Sequence, residues 1–521
     1  MKLFCKRLAL LAVSAFAAAD AFAGGFQLNE HGARAMAQAG AFAARAYDGS
    51  AAYFNPAGFA FQDRGSAYLG GTLILPHTSF YGPLQLNTNT KTEMVSQTFT
   101  PVNATLSYPV AQGLVAAISV NNPYGLGTEW PDNWAGRYII QKVELQTWFI
   151  TPTVAYRLTD QFSLGFGLNY VIGNVKLKRA VSVVSVETPS PVEANLALNG
   201  NAVGFNAGIL YKITPELSLG LSYRHKVKMD ASGNASFDPG YAVLGLPQGE
   251  VKATLTLPAT GFAGIAYRLT DQLSLGVGLN YVIGNVKLKR AMSVVSVETP
   301  SPVEADLALN GNAVGFNAGI LYKITPELSL GLSYRHKVQM DASGIASFDP
   351  GYAVLGLPQG EVKSTLTLPA TGFAGIAYRP LSNLEIEADY QFIGWSSYNE
   401  LRFDFSSNNS STVSPKNYQD TYIIRVGGEY SLDPWHFRGG YLYDHSPVKI
   451  EYSEPLLPDA NRNGFNVGLG YDINPDWSVD VAYFFLLFQD RQAQNTIPDI
   501  SFDGTYQSYV NLVGLNLEFK F

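Results

Sequence analysis

Few residues in this sequence could do covalent or metal chemistry, and they are poorly placed for it. Cys5 is the only cysteine, which excludes an internal disulfide and a multi-thiolate metal site. The six histidines (His31, His77, His225, His336, His436 and His445) are scattered. No HExxH, Gly-x-Ser-x-Gly or paired-cysteine pattern sets a ligand or nucleophile beside a base. Gly165-Phe166-Gly167 lacks the third glycine and the helix of a dinucleotide site, so it reads as strand glycines. Glu385, Glu387 and Asp389 alternate along one segment, and the expectation is an ion-pair network with an inward arginine such as Arg425. A serine–histidine pair joined only by the fold is the one hydrolytic arrangement left open. The reading is a protein that is not an enzyme and carries no cofactor or metal.

Recognition, by contrast, has candidates in the connecting segments. Asn121-Asn122-Pro123-Tyr124-Gly125 runs into Trp130, Trp134, Arg137 and Tyr138. Pro123 has no N–H to give a ladder, so it ends or kinks the strand before it. Val183 to Leu198 and Tyr241 to Pro247, which contains Leu244 and Leu246, are apolar for exposed loops, and exposed apolar patches tend to mark binding sites. Both recur, as Val294 to Leu309 and as Tyr352 to Pro358 with Leu355 and Leu357.

These loops must hang on strands. The chain has 521 residues with 50 Gly, 30 Tyr and 30 Phe, only 15% charged residues and a formal net charge of −7. The absence of a basic block argues against nucleic acid. Leu384, Ile386, Ala388, Tyr390 and Phe392 alternate with Glu385, Glu387, Asp389 and Gln391, and Trp477 to Leu487 alternates likewise. A period of two puts one face on lipid and the other on a polar lumen. Short connections such as Ala111 to Gly113 and Leu158 to Gln161 alternate with long ones such as Asn121 to Gln141 and Met229 to Lys252. Outer-membrane barrels show that asymmetry, with short periplasmic turns and long outer loops.

The chain also repeats itself. Tyr156 to Ala266 recurs as Tyr267 to Ala377, with seven differences: Phe162/Leu273, Phe166/Val277, Val181/Met292, Asn195/Asp306, Lys228/Gln339, Asn234/Ile345 and Ala253/Ser364. Each copy holds four amphipathic strands, an even number that an up-and-down barrel can accept without inverting any strand downstream. The predicted fold is all-β, a transmembrane antiparallel barrel of eighteen strands over residues 63–521. The first strands are placed near Arg64, Ser96, Leu114 and Lys142.

The ends agree with export. Residues 1–23 carry Lys2, Lys6 and Arg7, an apolar run and Ala21-Phe22-Ala23, the pattern of a cleaved signal peptide. Residues 24–62 are rich in Ala and Gly and predict short helices and turns. Gly25-Phe26-Gln27-Leu28-Asn29-Glu30 followed by Asn55-Pro56-Ala57 resembles the N-terminal plug of the FadL/TodX family of outer-membrane transporters, and Asn121 to Tyr138 resembles the loop after that family's third strand. The alternation ending on Phe519 and Phe521 resembles the C-terminal signal read by the barrel assembly machinery.

The resemblance implies passive uptake of long-chain fatty acids or aromatic hydrocarbons. The route it implies runs from a loop groove to an apolar pocket beside the plug, whose N-terminus near Phe26 shifts to pass the ligand on, and then through a lateral opening that the family forms where its third strand bends inward. It also implies a monomer in contact with outer-membrane lipid and lipopolysaccharide, and a fourteen-strand parent, to which one copy adds four. The alternative is an enlarged, leaky, porin-like channel.

Overall fold

The computed structural model describes residues 56–521 apart from 85–88, 124, 138, 184–189, 213–216, 226, 238–248, 258, 269–272, 295–300, 326, 349–359, 407–408, 454–458 and 495–501. The signal segment, most of the proposed plug with Phe26 and Asn55, and Tyr138, Leu244, Leu246, Leu355 and Leu357 lie outside the described residues.

Among the described residues, every strand belongs to one sheet. The N-terminal strands are β1 (Ser66–Tyr81), β2 (Lys91–Glu93), β3 (Val102–Ala111), β4 (Leu114–Asn121), β5 (Gly125–Glu129) and β6 (Lys142–Arg157). The first copy supplies β7 (Phe162–Val183), β8 (Ser190–Lys212), β9 (Leu217–Arg224), β10 (Val227–Phe237), β11 (Gly249–Leu257) and β12 (Ala259–Arg268). The wall ladders are antiparallel and run between near neighbours in sequence, and the last strand, Gly504–Lys520, pairs with β1 from Ser66↔Lys520 to Tyr81↔Thr505. The sheet therefore closes on itself. Lipid offers no partner to a free N–H or C=O, so a spanning sheet must close.

Side chains follow the period of two. On β7, Leu164, Phe166, Leu168, Tyr170 and Ile172 are exposed while Ser163, Asn169 and Val171 are buried. The apolar set faces lipid and the small polar set faces the lumen. β7 pairs with β8 from Phe162↔Tyr211 to Val183↔Ser190, and the second copy repeats this from Leu273↔Tyr322 to Val294↔Ser301. In each copy the next two strands break at matching points: β9 ends at Arg224 and β10 begins at Val227, and β11 ends at Leu257 and β12 begins at Ala259. Prolines 258 and 369 have no N–H for a ladder.

Several segments that read as loops are strand. β8 begins at Ser190, inside the apolar run Val183 to Leu198, and β10 and β11 reach well into Met229 to Lys252. The cause is cross-strand pairing above the membrane, for example Leu177↔Leu196. The second wall strand starts at Val102 rather than near Ser96; before it, Phe99 forms only an isolated bridge to Ile74. Of the expected network, Asp389 faces Arg425 across the ladder and Arg425 donates to Gln391 Oε1 at 2.9 Å, whereas Glu385 pairs with Arg379. That difference arises because Arg379, on the preceding strand, reaches the periplasmic end where Glu385 sits.

Candidate functional site

The inner face of β3, β4, β6 and β7 carries a vertical series of contacts. At the bottom lies a 3₁₀ turn, Pro56–Phe61. Proline suits a first helical position, where an N–H would have no partner. Ala57, Phe59 and Ala60 are buried. The Ser163 hydroxyl donates to the Ala57 carbonyl at 3.1 Å, and the Ser107 hydroxyl donates to Gln62 Oε1 at 2.7 Å. Pro56 and Ala57 thus rest on β7 of the first copy.

Above the turn is a row of neutral polar side chains. Thr105 stands opposite Ser119, Ser119 opposite Thr151, and Thr151 Oγ1 donates to Asn169 Oδ1 at 2.9 Å. One step higher, Asn103 faces Asn121, Asn121 faces Phe149, Phe149 faces Val171 and Val171 faces Ala202. Phe149, Val171 and Ala202 pack with Val227 and Met229 as a buried apolar cluster.

At the same height the wall is interrupted. β4 ends at Asn121, opposite Phe149, and pairing to β6 resumes at Gly125↔Gln146. Pro123 lies buried in the break. The Asn122 side chain fills the gap: its Oδ1 accepts from the Val102 N–H at 2.8 Å, and its Nδ2 donates to the Thr147 carbonyl at 2.7 Å. β5 then meets the segment before β3 through one backbone bond, Val95 N–H to Glu129 O at 2.9 Å. The Phe99 ring lies over Gly127, where a β carbon would come within 2.0 Å of its Cζ. β4 has 8 residues above its turn; at about 3.3 Å each and a tilt of about 45°, the break lies about 19 Å up. The apolar band is about 25 Å tall, so the interruption falls within its outer half.

Over the top lies an aromatic cluster. Trp130 and Trp134 stack with centroids 4.3 Å apart at 7°, and Phe80 meets Trp134 edge-on at 6.1 Å. Phe502 and Tyr506 each sit 4.8 Å from Phe80. Trp134 Nε1 donates to the Ile140 carbonyl at 2.8 Å, and the Arg137 carbonyl accepts from the Ala180 N–H at 2.8 Å. The loop tryptophans are buried anchors joining β1, the loop after β5 and the start of the last strand.

Ion pairs flank this cap. Lys178 reaches Asp132 at 2.6 Å and Glu193 at 3.1 Å; Lys142 reaches Glu129 at 2.7 Å and Glu144 at 3.4 Å. A tilted strand crosses the membrane in about 9–11 residues, so the far end of the 22-residue β7 stands clear of it. Burial works to lower the Lys178 ammonium, but its hydrogen bonds to Asp132 and Glu193 outweigh burial and hold its pKa above the ordinary lysine value.

The site residues named from sequence therefore separate into Pro56 and Ala57 below, Pro123 and Gly125 at the break, and Trp130, Trp134 and Arg137 in the cap. Asn122 and Phe99, which complete the break, carry no signature of their own in the sequence. Only the position of Asn122 beside Pro123 points to it.

A closed antiparallel sheet with a lipid-facing exterior and an interrupted wall defines an outer-membrane transport barrel. The family model described as outer membrane protein transport protein (OMPP1/FadL/TodX) matches residues 14–264 and 256–521, and the chain belongs to this family. It is similar to the long-chain fatty acid transport protein of Escherichia coli K12, 25% identical over 505 residues covering 93% of this chain and 92% of the relative. Outer membrane protein P1 of Haemophilus influenzae is 26% identical over 297 residues, covering 49% of this chain and 63% of that one. Among solved structures, a Pseudomonas aeruginosa FadL homologue matches with a TM-score of 0.47 and 17% identity, over 91% of this chain and 94% of that one. The protein is an outer-membrane protein of a transport family whose members are not enzymes.

Proposed function

We propose that this chain conducts hydrophobic compounds, long-chain fatty acids or monoaromatic hydrocarbons, passively into the outer membrane. The observation that carries the reading is the wall interruption at Asn122–Pro123, where among the described residues a side-chain amide and an aromatic ring bridge the break. Leu244, Leu246 and their copies Leu355 and Leu357 provide the outer capture surface. The solute then moves along the inner face of β6–β8 above the Pro56–Phe61 turn and leaves sideways past Pro123 and Gly125. Residues 24–62 act as the plug, and its N-terminus near Phe26 shifts to release the solute.

We also infer an eighteen-strand wall. Counting collinear pieces such as β4 with β5 or β9 with β10 as one strand supports that number. Uptake of a radiolabelled fatty acid and of toluene into cells lacking other routes tests the reading. Replacing Asn122-Pro123 with Val-Val, which restores a continuous strand, is expected to lower uptake at least tenfold with the barrel still assembled. Undiminished uptake would sink the lateral route.

A further inference from the structure

We propose that the neutral polar row on the inner face of β3, β4, β6 and β7 is a head-group site for an amphiphile whose polar end is an uncharged hydrogen-bond acceptor, such as an ester. The proposal rests on the transport reading and extends its substrate class to neutral amphiphiles.

Asn103, Ser119 and Asn169 are 7%, 1% and 2% exposed, yet Asn103 Nδ2, Ser119 Oγ and Asn169 Nδ2 have no hydrogen-bond partner. Folded proteins rarely leave a buried polar atom unpaired. These three atoms, on β3, β4 and β7 with β6 between the last two, form a concentration of unmet bonding capacity on one stretch of the inner face. Two of them are amide N–H groups, which can only donate, and the serine hydroxyl can donate too. What fits there must accept.

Charge decides which acceptor. Neither row contains Lys, Arg or His: the lower is Thr105, Ser119, Thr151 and Asn169, the upper Asn103, Asn121, Phe149, Val171 and Ala202. A carboxylate would lose its hydration with no cation among the described residues of these rows to replace it, which costs far more than burying a neutral carbonyl. The apolar cluster supplies the place for the tail. Phe149, Val171 and Ala202 lie one rung above Ser119 and Asn169 and on the rung of Asn103, packed against Val227 and Met229. Met229 sits in the space left by two glycines: a β carbon at Gly173 would lie 2.4 Å from its Cε and one at Gly200 2.8 Å from its Cγ. An unbranched thioether moves aside more readily than a branched side chain. The turn at Ala57 closes the row from below.

The test is equilibrium binding of laurate, methyl laurate and dodecane to the purified full-length protein, with uptake of the same compounds into proteoliposomes. Each net hydrogen bond is worth about 3- to 10-fold in affinity, so methyl laurate is expected to bind about tenfold more tightly than either dodecane or laurate. Asn169→Leu should reduce the ester's advantage to about threefold and leave dodecane binding unchanged. Ser119→Ala, a milder change that keeps the backbone ladder, should reduce it by about half. Equal binding of ester and dodecane, or an equal loss of both in the variants, would overturn the head-group site. If dodecane still crosses while the ester has no advantage, the row holds water and the transport reading survives. If no compound binds or crosses, both fall together.

Discussion

Gly165 and Ala57 approach so closely that a β carbon on the glycine would lie 2.3 Å from the Ala57 backbone nitrogen. Backbone meets backbone, so nothing flexible can yield. Gly165→Ala is expected to lift the Pro56–Phe61 turn off β7. Gly276, its counterpart in the second copy, is expected to tolerate alanine, since the turn rests on the first. Limited proteolysis checks this: the N-terminal segment should become cleavable in Gly165→Ala alone. Ser163→Ala, which removes the 3.1 Å bond to Ala57, should loosen the turn by about 1 kcal/mol.

Phe99 and Asn122 seal the interrupted wall by different means, and each can be removed separately. Gly127→Ala puts a methyl group where the Phe99 ring lies, and should displace the ring and raise uptake of a hydrophobic tracer severalfold. Asn122→Leu keeps the size but removes the bonds to the Val102 N–H and the Thr147 carbonyl. Each lost hydrogen bond costs about 0.5–1.5 kcal/mol. A lower unfolding temperature with faster uptake is the expected pair of results. Slower uptake in both variants would mean that the seal guides the solute instead of holding it back.

How much of this is legible in the sequence depends on period and reach. Alternation is local, so the lipid face Leu164, Phe166, Leu168, Tyr170 and Ile172 can be read from spacing alone. Pro123 announces a break because a residue without N–H cannot serve a ladder. The bridge across that break is not readable, because it joins Asn122 to Val102 and Thr147 on two other strands and depends on register. Apolar stretches such as Val192 to Leu198 look like loops because a strand paired above the membrane has no lipid face to enforce alternation. The partner of Glu385 is hidden for a similar reason: Arg379 and Arg425 flank its strand on either side, and only the pairing shows which one reaches it.

Trp134 should hold the outer cap together. It is 2% exposed, stacks on Trp130 and meets Phe80 and Phe502 edge-on. Replacing a buried tryptophan with alanine typically costs about 3–5 kcal/mol. The loss in Trp134→Ala should be confined to the cap, because the wall ladders lie below it. Outer loops of intact cells should become protease-sensitive, while the heat-resistant gel mobility of the barrel is kept.

The lysines beside the cap give a pH dependence with a definite sign. The pKa of Lys178 is raised in the folded state, so its pairs with Asp132 and Glu193 contribute stability that is fully present below the unfolded lysine value of about 10.4. That contribution is lost as the pH rises through the folded value. Cap stability, followed by loop proteolysis, should therefore be flat from neutral pH to about pH 10 and fall above it. Lys178→Met should remove most of the fall. An equal fall in the variant would shift the cause to Lys142, whose pKa is raised in the same way by Glu129 and Glu144 against the effect of burial.

The second copy makes the last prediction. Barrel diameter grows roughly linearly with strand number, so the eighteen-strand wall we infer, four strands more than fourteen, would have a cross-section about 1.6-fold larger. The Pro56–Phe61 turn, however, is fastened to the first copy by Ser163 and Gly165, so in the proposed arrangement a single plug would serve the wider lumen. Ions should therefore pass where the parent architecture would be sealed. Planar-bilayer recordings of the full chain are expected to show a steady conductance that is absent when Tyr267 to Ala377 is deleted. Hydrophobic uptake should be similar in both, because the interruption at Asn122 lies outside the duplicated segment and its partners Val102 and Thr147 are untouched by the deletion. Silent traces from both proteins would mean that the copy's own side chains fill the space its strands create.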